Sequence, residues 1–220
     1  MILVIPDVLS DDQVKQVRAK LTTVKFVDGA QTAGAVAKQV KNNLQADMNT
    51  PEYGQLNSWI LPIIGNNQMF ETACMPLKFT RVRFSRYRDN MTYGAHIDEP
   101  MMGEIRTDIS FTLFLAEPED YAGGELIMHE AGGDRAFKLR AGHMIAYPST
   151  TLHRVAPVTQ GERLVAFGWA QSLVRDAAHR ETLFDLSQAR MSLLERPGCE
   201  REGDLVAKSR SNLLRMWAEP

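Results

Sequence analysis

Apolar residues change their spacing twice along this chain. Ile2 to Ile5 is a short apolar run closed by Pro6-Asp7, which reads as a strand. Ser10-Asp11-Asp12 then offers an N-cap and an acidic first turn, and Val14, Val17, Ala19 and Leu21 form a loose helical stripe running to about Thr23. Phe26-Val27-Asp28-Gly29 reads as a strand end and a turn. From Ala33 to about Met48 the spacing predicts a second helix, with Val36, Val40 and Leu44 four apart, broken by Thr50-Pro51. Glu52 to Asn66 predicts a third, apolar helix, and Phe70 to Cys74 continues it. From Leu77 the period falls to two, and short strands alternate with Gly, Asp and Pro. Strands are expected at about 79–87, 94–98, 108–116, 124–129, 135–139, 143–147, 152–157 and 162–171. Ile109, Phe111, Leu113 and Leu115 share one face, and Val165, Phe167 and Trp169 share another with Arg163. After about Arg175 helical spacing returns, over Ala177–Glu195 and Asp204–Trp217, with Pro197-Gly198 between.

Eight strands between helical flanks predict a mainly β fold, a double-stranded β-helix or jelly roll. Residues 1–76 form an N-terminal strand and helices packing on the barrel, 77–174 the core, and 175–220 a C-terminal helical appendage. The appendage either extends the core or serves as a subunit interface, and we expect a homo-oligomer.

Composition narrows the function classes. Of 220 residues, 44% are hydrophobic and 24% charged, as in ordinary soluble domains. A net charge of −2 provides no field for nucleic acid or a membrane surface. Cys74 and Cys199 are too few for a disulfide framework or a zinc cluster and read as free thiols. No stretch approaches the roughly 18 apolar residues of a membrane span. The N-terminus lacks a basic region and a long apolar run, so a cytoplasmic protein is expected.

The chemistry converges on Tyr93-Gly94-Ala95-His96-Ile97-Asp98. His96 and Asp98 are two apart, so on an extended strand both side chains point to one face. His153 follows as a third ligand brought in by the fold, and two histidines with one carboxylate are the ligand set of non-haem Fe(II) oxygenases. Arg163, ten residues after His153, returns over the same cavity on the next strand. Alone, His-x-Asp is as often a surface histidine beside a turn aspartate. It is the order of the parts that carries weight.

That order includes Tyr87, Tyr93 to Asp98, Gly123-Gly124-Glu125-Leu126, Ala141-Gly142, Tyr147-Pro148, His153-Arg154-Val155 and Arg163. It resembles the Fe(II)/2-oxoglutarate dioxygenases of the prolyl 4-hydroxylase superfamily, and most closely the bacterial PKHD-type hydroxylases. The acidic turn Glu119-Asp120-Tyr121 and the strand end Trp169-Ala170-Gln171-Ser172 are similar too. The resemblance implies His96, Asp98 and His153 as iron ligands and Arg163 as the partner of 2-oxoglutarate. It implies Tyr87 as a further contact of this cosubstrate, with Tyr93 a competitor for that role. It also implies O₂ and a small-molecule or peptidyl substrate as partners, L-ascorbate as reductant, and hydroxylation with release of succinate and CO₂. Arginine suits the distal carboxylate because its planar fork remains charged when desolvated. Related halogenating enzymes lack the carboxylate that Asp98 supplies, so hydroxylation is the expected outcome.

Two rival readings stand beside this one. A cupin-like metal-binding jelly roll without catalysis would have no need of Arg163. A zinc hydrolase would need a general base beside the ligands, and Glu99, next to Asp98, should point away on a strand. Met101, Met102 and Gly103 are expected to begin a mobile loop over the site. His143 is read as a strand histidine rather than a surplus ligand, and His129 and His179 as structural or solvated.

Overall fold

The computed structural model describes residues 1–32 and 37–219. Strand β1 (Leu3–Ile5), helix α1 (Asp11–Leu21) and strand β2 (Phe26–Asp28) open the chain. Two short strands, β3 (Lys41–Asn42) and β4 (Leu44–Ala46), precede helices α2 (Pro51–Gly65) and α3 (Gln68–Cys74). Then come β5 (Pro76–Phe79), β6 (Arg83–Tyr87), β7 (Thr92–His96), β8 (Met101–Met102), β9 (Ile105–Arg106) and β10 (Ile109–Phe114). They are followed by β11 (Tyr121–Gly123), β12 (Leu126–Glu130), β13 (Gly133–Phe137), β14 (Met144–Pro148), β15 (His153–Val155), β16 (Val158–Gly161) and β17 (Arg163–Ser172). Helices α4 (Ala177–Leu194) and α5 (Glu200–Trp217) close the chain.

The strands form the two facing sheets of a double-stranded β-helix. The larger runs β1-β14-β10-β17-β6-β4-β2, with β5 also on β17, and the smaller runs β13-β12-β15-β7-β3. Alternation decides what each face of the larger sheet meets. Helix α2 buries Tyr53, Leu56, Ile60 and Ile64 completely, about 1.5–3 kcal/mol for each apolar side chain. Tyr53 stands edge-on to Phe84 at 6.1 Å and donates its hydroxyl to the Val82 carbonyl. Phe70 of α3 meets Phe111 at 5.8 Å. The helices therefore cover the outer face, on which Phe84 and Phe111 lie. Arg83, Ser85 and Tyr87 alternate with Phe84 and face the opposite way, toward the space between the sheets. Arg163 pairs with Tyr87 and Phe167 with Arg83 in the β17–β6 ladder, so these residues share that inner face.

Each of the eight expected strands has a counterpart, with shifted ends. The expected run 79–87 is two strands broken at Thr80–Val82, and β7 ends at His96, before Asp98. The pairs β11–β16 and β8–β9 form where the sequence predicts turns and a loop. Helix α3 is separate from α2, because Asn67 caps it by accepting from the Phe70 amide.

The expected helix over 33–48 is wrong where it can be compared. Residues 33–36, including Val36, lie outside the described residues. The remainder gives a short 3-10 turn at Ala37–Gln39, then β3 and β4. Lys41 pairs with Tyr93, and Leu44 and Gln45 pair with Arg86 and Ser85. Val40, the middle residue of the expected stripe, is 40% exposed. Two sheet edges that needed partners outweighed a weak helical spacing.

Helices α4 and α5 pack on each other, and Leu183 of α4 joins Met75 and Val174 in a small second core flanked by Leu213, Leu214 and Trp217. Helix α5 begins at Glu200, one turn earlier than its spacing predicts. Met191, Leu194, Leu205 and Met216 remain at least half exposed on this pair. No described helix is long and apolar enough to cross a membrane.

Candidate metal and cosubstrate site

The inner face of the smaller sheet brings together three residues that could hold a metal ion. His96 ends β7 and lies directly opposite His153 in the β7–β15 ladder, with ring centroids 4.3 Å apart. Asp98 follows just past the strand end. One donor atom from each of the three lies within 4.8 Å of the other two. The Nε2 atoms of His96 and His153 are 3.8 and 3.9 Å from the Asp98 carboxylate, too far to be hydrogen bonds.

Both imidazoles are oriented from behind. His96 Nδ1 is 2.8 Å from the Gly94 carbonyl, and His153 Nδ1 is 2.9 Å from the Thr151 carbonyl. A carbonyl only accepts, so each Nδ1 carries the proton and each Nε2 turns its lone pair toward Asp98. Burial, and then the neighbouring His153, push the His96 pKa down to about 4, which keeps this ring neutral and ready to ligate. Ser110 donates its hydroxyl to Asp98 Oδ2 at 2.6 Å and lies 2.9 Å from the Ser149 hydroxyl. Tyr93 stacks flat on His96 at 3.6 Å, and Tyr147 stands edge-on to His153 at 5.1 Å. Two imidazoles and one carboxylate, with no cysteine among the described residues that line the cavity, fit Fe(II).

Arg163 lies on the other wall of the same cavity of about 140 Å³. It is 1% exposed and sits between the rings of Tyr87 and Phe114, 5.1 and 5.5 Å away. Its Nε has no hydrogen-bond partner, and among the described residues no carboxylate pairs with it. A desolvated guanidinium left in this state calls for an anion. Gly124 makes room for it. A Cβ there would stand 3.1 Å from Arg163 Cδ and 2.9 Å from the Tyr121 ring, at a φ of +71° that favours glycine.

The family model for the 2OG-Fe(II) oxygenase superfamily matches residues 82–171, the stretch that holds His96, Asp98, His153 and Arg163. A PKHD-type hydroxylase of Acaryochloris marina is 48% identical over the full length of both chains, and one of Picosynechococcus is 47% identical over the same extent. The chain belongs to the PKHD-type hydroxylases. It is an Fe(II)- and 2-oxoglutarate-dependent hydroxylase. Solved structures carry the same fold at low identity. A Pseudomonas putida prolyl-4-hydroxylase is 20% identical with a TM-score of 0.52, over 78% of this chain and 92% of its own. A Burkholderia pseudomallei protein of the 2OG-Fe(II) oxygenase family is 17% identical with a TM-score of 0.59, over 77% and 85%.

The hydroxylase brings His96, Asp98, His153, Arg163, Tyr87 and Tyr93 to one cavity but gives the two tyrosines different places. Tyr87 is buried beside Arg163, whereas Tyr93 covers the face of His96. Burial above all raises the Tyr87 pKa, with Arg163 opposing, so its hydroxyl stays a donor. Glu99 stands exposed at the cavity rim rather than away from it. The segment expected as a loop forms the β8–β9 hairpin, and Met102 lines the cavity. His143 lies 3.4 Å from Asp7, away from the ligands. His129 and His179 have partners that spacing did not reveal. His129 Nδ1 is 2.7 Å from Asp134, and His179 stacks on Trp217 at 4.0 Å.

Sequence reasoning missed Ser110, Lys41 and Arg83. The signal for Ser110 was available, since alternation in β10 puts it opposite the buried Phe111. Lys41 falls in the segment whose spacing predicts a helix, and no motif or spacing in the sequence distinguishes Arg83.

Proposed function

We propose that His96, Asp98 and His153 hold Fe(II), that Arg163 receives the distal carboxylate of 2-oxoglutarate, and that Tyr87 donates a hydrogen bond to the same group. The observation that carries this reading is a buried, carboxylate-free arginine across one cavity from three converging ligands. When bound, iron with its 2-oxoglutarate supplies the electrons that let dioxygen attack a substrate C–H bond, leaving succinate and CO₂. Asp98 offsets one of the two metal charges, and Ser110 fixes the direction of its carboxylate. The carbonyls of Gly94 and Thr151 hold the proton on Nδ1 of each histidine. Phe114 and Val165 keep water from the arginine, which strengthens its pairing with an anion.

Residues 77–174 act as the catalytic core in this reading, residues 1–76 brace its outer face, and residues 175–220 form the appendage. The substrate is a small molecule or a peptide. L-ascorbate serves as reductant, the protein works in the cytoplasm as a homo-oligomer, and it engages neither nucleic acid nor membrane.

The test is an anaerobic iron titration followed by succinate release in air. Wild type is expected to bind one iron and to release succinate from 2-oxoglutarate. His96→Ala and Asp98→Ala are expected to do neither at ordinary iron concentrations while keeping a cooperative melt. Full iron occupancy with normal succinate release in both variants rejects the assignment.

A further inference from the structure

Tyr121 ends the acidic turn Glu119-Asp120-Tyr121, and the site as assigned does not use it. It opens β11, where it pairs with Gly161, and is 5% exposed. Lys138 donates to its carbonyl at 2.6 Å and stands 4.1 Å from its ring. The ring is thereby held in place, yet its hydroxyl is sealed from solvent and has no hydrogen-bond partner. Arg163 Nε is in the same state. Buried polar atoms without a partner are rare in folded proteins, and each is costly until something satisfies it.

These two orphans are neighbours. A Cβ at Gly124 would stand 2.9 Å from Tyr121 Cε2, the ring carbon beside the one that bears the hydroxyl, and 3.1 Å from Arg163 Cδ, the carbon bonded to Nε. Burial raises the Tyr121 pKa, and the Arg163 charge is the first cause that opposes it. The hydroxyl therefore keeps its proton, lies near the guanidinium and has its lone pairs unused. Arg163 lines the cavity and Tyr121 does not. Tyr121 thus stands behind the arginine, out of the path of a cosubstrate, whereas Tyr87 lines the cavity itself.

Building on the site assignment above, we propose that Tyr121 is a positioning residue for Arg163. The distal carboxylate of 2-oxoglutarate takes the two outer nitrogens of the guanidinium, and the Tyr121 hydroxyl accepts the Nε–H from behind. A small shift of the arginine satisfies both orphans at once. It also fixes the plane of the guanidinium, so that its fork meets the carboxylate squarely. Tyr121 acts through Arg163 and touches neither iron nor cosubstrate.

The experiment titrates 2-oxoglutarate and 2-oxopentanoate calorimetrically into protein loaded anaerobically with Fe(II). The second keto-acid has the same chain with a methyl group in place of the distal carboxylate. Wild type is expected to prefer 2-oxoglutarate. Tyr121→Phe keeps the ring and its contact with Lys138. It should weaken 2-oxoglutarate roughly tenfold, the lower end for a hydrogen bond to a charged group, and leave 2-oxopentanoate unchanged. Lysine has a methylene where arginine has Nε, so in an Arg163→Lys background Tyr121→Phe should cost nothing further. Melts of the metal-free protein supply an independent readout. Deleting a hydroxyl that serves the fold lowers the melting temperature, whereas deleting an unpartnered one should not. The proposal is overturned by an unchanged 2-oxoglutarate affinity in Tyr121→Phe, by an equal loss for both keto-acids, by a lowered melt, or by a further loss in the Arg163→Lys background. Wild type separates the two levels of the argument. If it shows no iron-dependent binding of 2-oxoglutarate, or no preference for it over 2-oxopentanoate, the site assignment itself fails. A normal preference that Tyr121→Phe leaves untouched removes only the support behind Arg163.

Discussion

Replacing Arg163 by alanine tests the cosubstrate pocket at its strongest point. The side chain is 1% exposed, so water cannot take over its role. In the variant the distal carboxylate of 2-oxoglutarate would enter a desolvated pocket with no cation. Breaking such a buried pair by removing one partner costs on the order of 3–5 kcal/mol, or about a hundred- to several-thousandfold in affinity. The loss should appear as a raised KM for 2-oxoglutarate, with kcat partly recovered at high concentration. Arg163→Lys should fall between, since it keeps the charge and loses the fork. Iron binding should change little in either variant, because the ligands stand on the opposite wall. A second consequence follows from the unpartnered Nε. Without cosubstrate the wild-type protein carries a buried cation with no carboxylate, so the similarly long Arg163→Met should not lower the melting temperature. It should abolish the upward shift that 2-oxoglutarate gives wild type. The assays are a 2-oxoglutarate titration of succinate release, an iron-binding isotherm and melts with and without 2-oxoglutarate. An unchanged KM in Arg163→Ala would remove Arg163 from the pocket and favour a metal-binding jelly roll without catalysis.

Ser110→Ala deletes the hydroxyl that holds Asp98, and iron affinity should fall roughly ten- to a hundredfold, as read by chelator competition; an unchanged isotherm rejects the orienting role. Burial raises the Cys74 thiol to about 12, so its neutral form is favoured in the fold. That contribution is complete below the unfolded thiol pKa near 9 and is lost as pH climbs from there toward 12. Native protein should accordingly give one fast thiol with an aromatic disulfide reagent, at the partly exposed Cys199, and two after unfolding; two fast thiols in native protein contradict the burial. Light scattering should find a homo-oligomer, reduced to monomer by Met191→Glu with Leu194→Glu on the exposed apolar face of α4; a monomeric wild type removes the expected assembly.

The β-core was legible because its period-two pattern agrees with burial on both sides of the sheet. In β10 every residue is buried, yet the outward Phe111 and inward Ser110 and Thr112 still alternate in chemistry. The N-terminal third was less legible for the opposite reason. Lys41–Ala46 has no strong pattern of its own and becomes strand only because β6 and β7 offer open edges to pair with. A preference supplied by distant partners leaves little trace in local spacing. The α2–α3 break was also faint, as a single Asn67 cap decides it.

The same distinction explains which site residues could be read. His96 and Asp98 announce themselves by a spacing of two, and His153 and Arg163 by types that a metal and an anion require. Each is chemically conspicuous wherever it stands. Lys41 and Arg83 are ordinary residues made significant by position alone. Lys41 reaches the cavity because β3 pairs with β7 at Tyr93, and Arg83 because it alternates with Phe84, whose ring is held against Tyr53. Neither fact belongs to a motif. The parts of the site that handle iron and 2-oxoglutarate are thus written locally, since their chemistry dictates residue type. Lys41 and Arg83 reach the cavity through the pairing of strands, where single-sequence reasoning has least purchase.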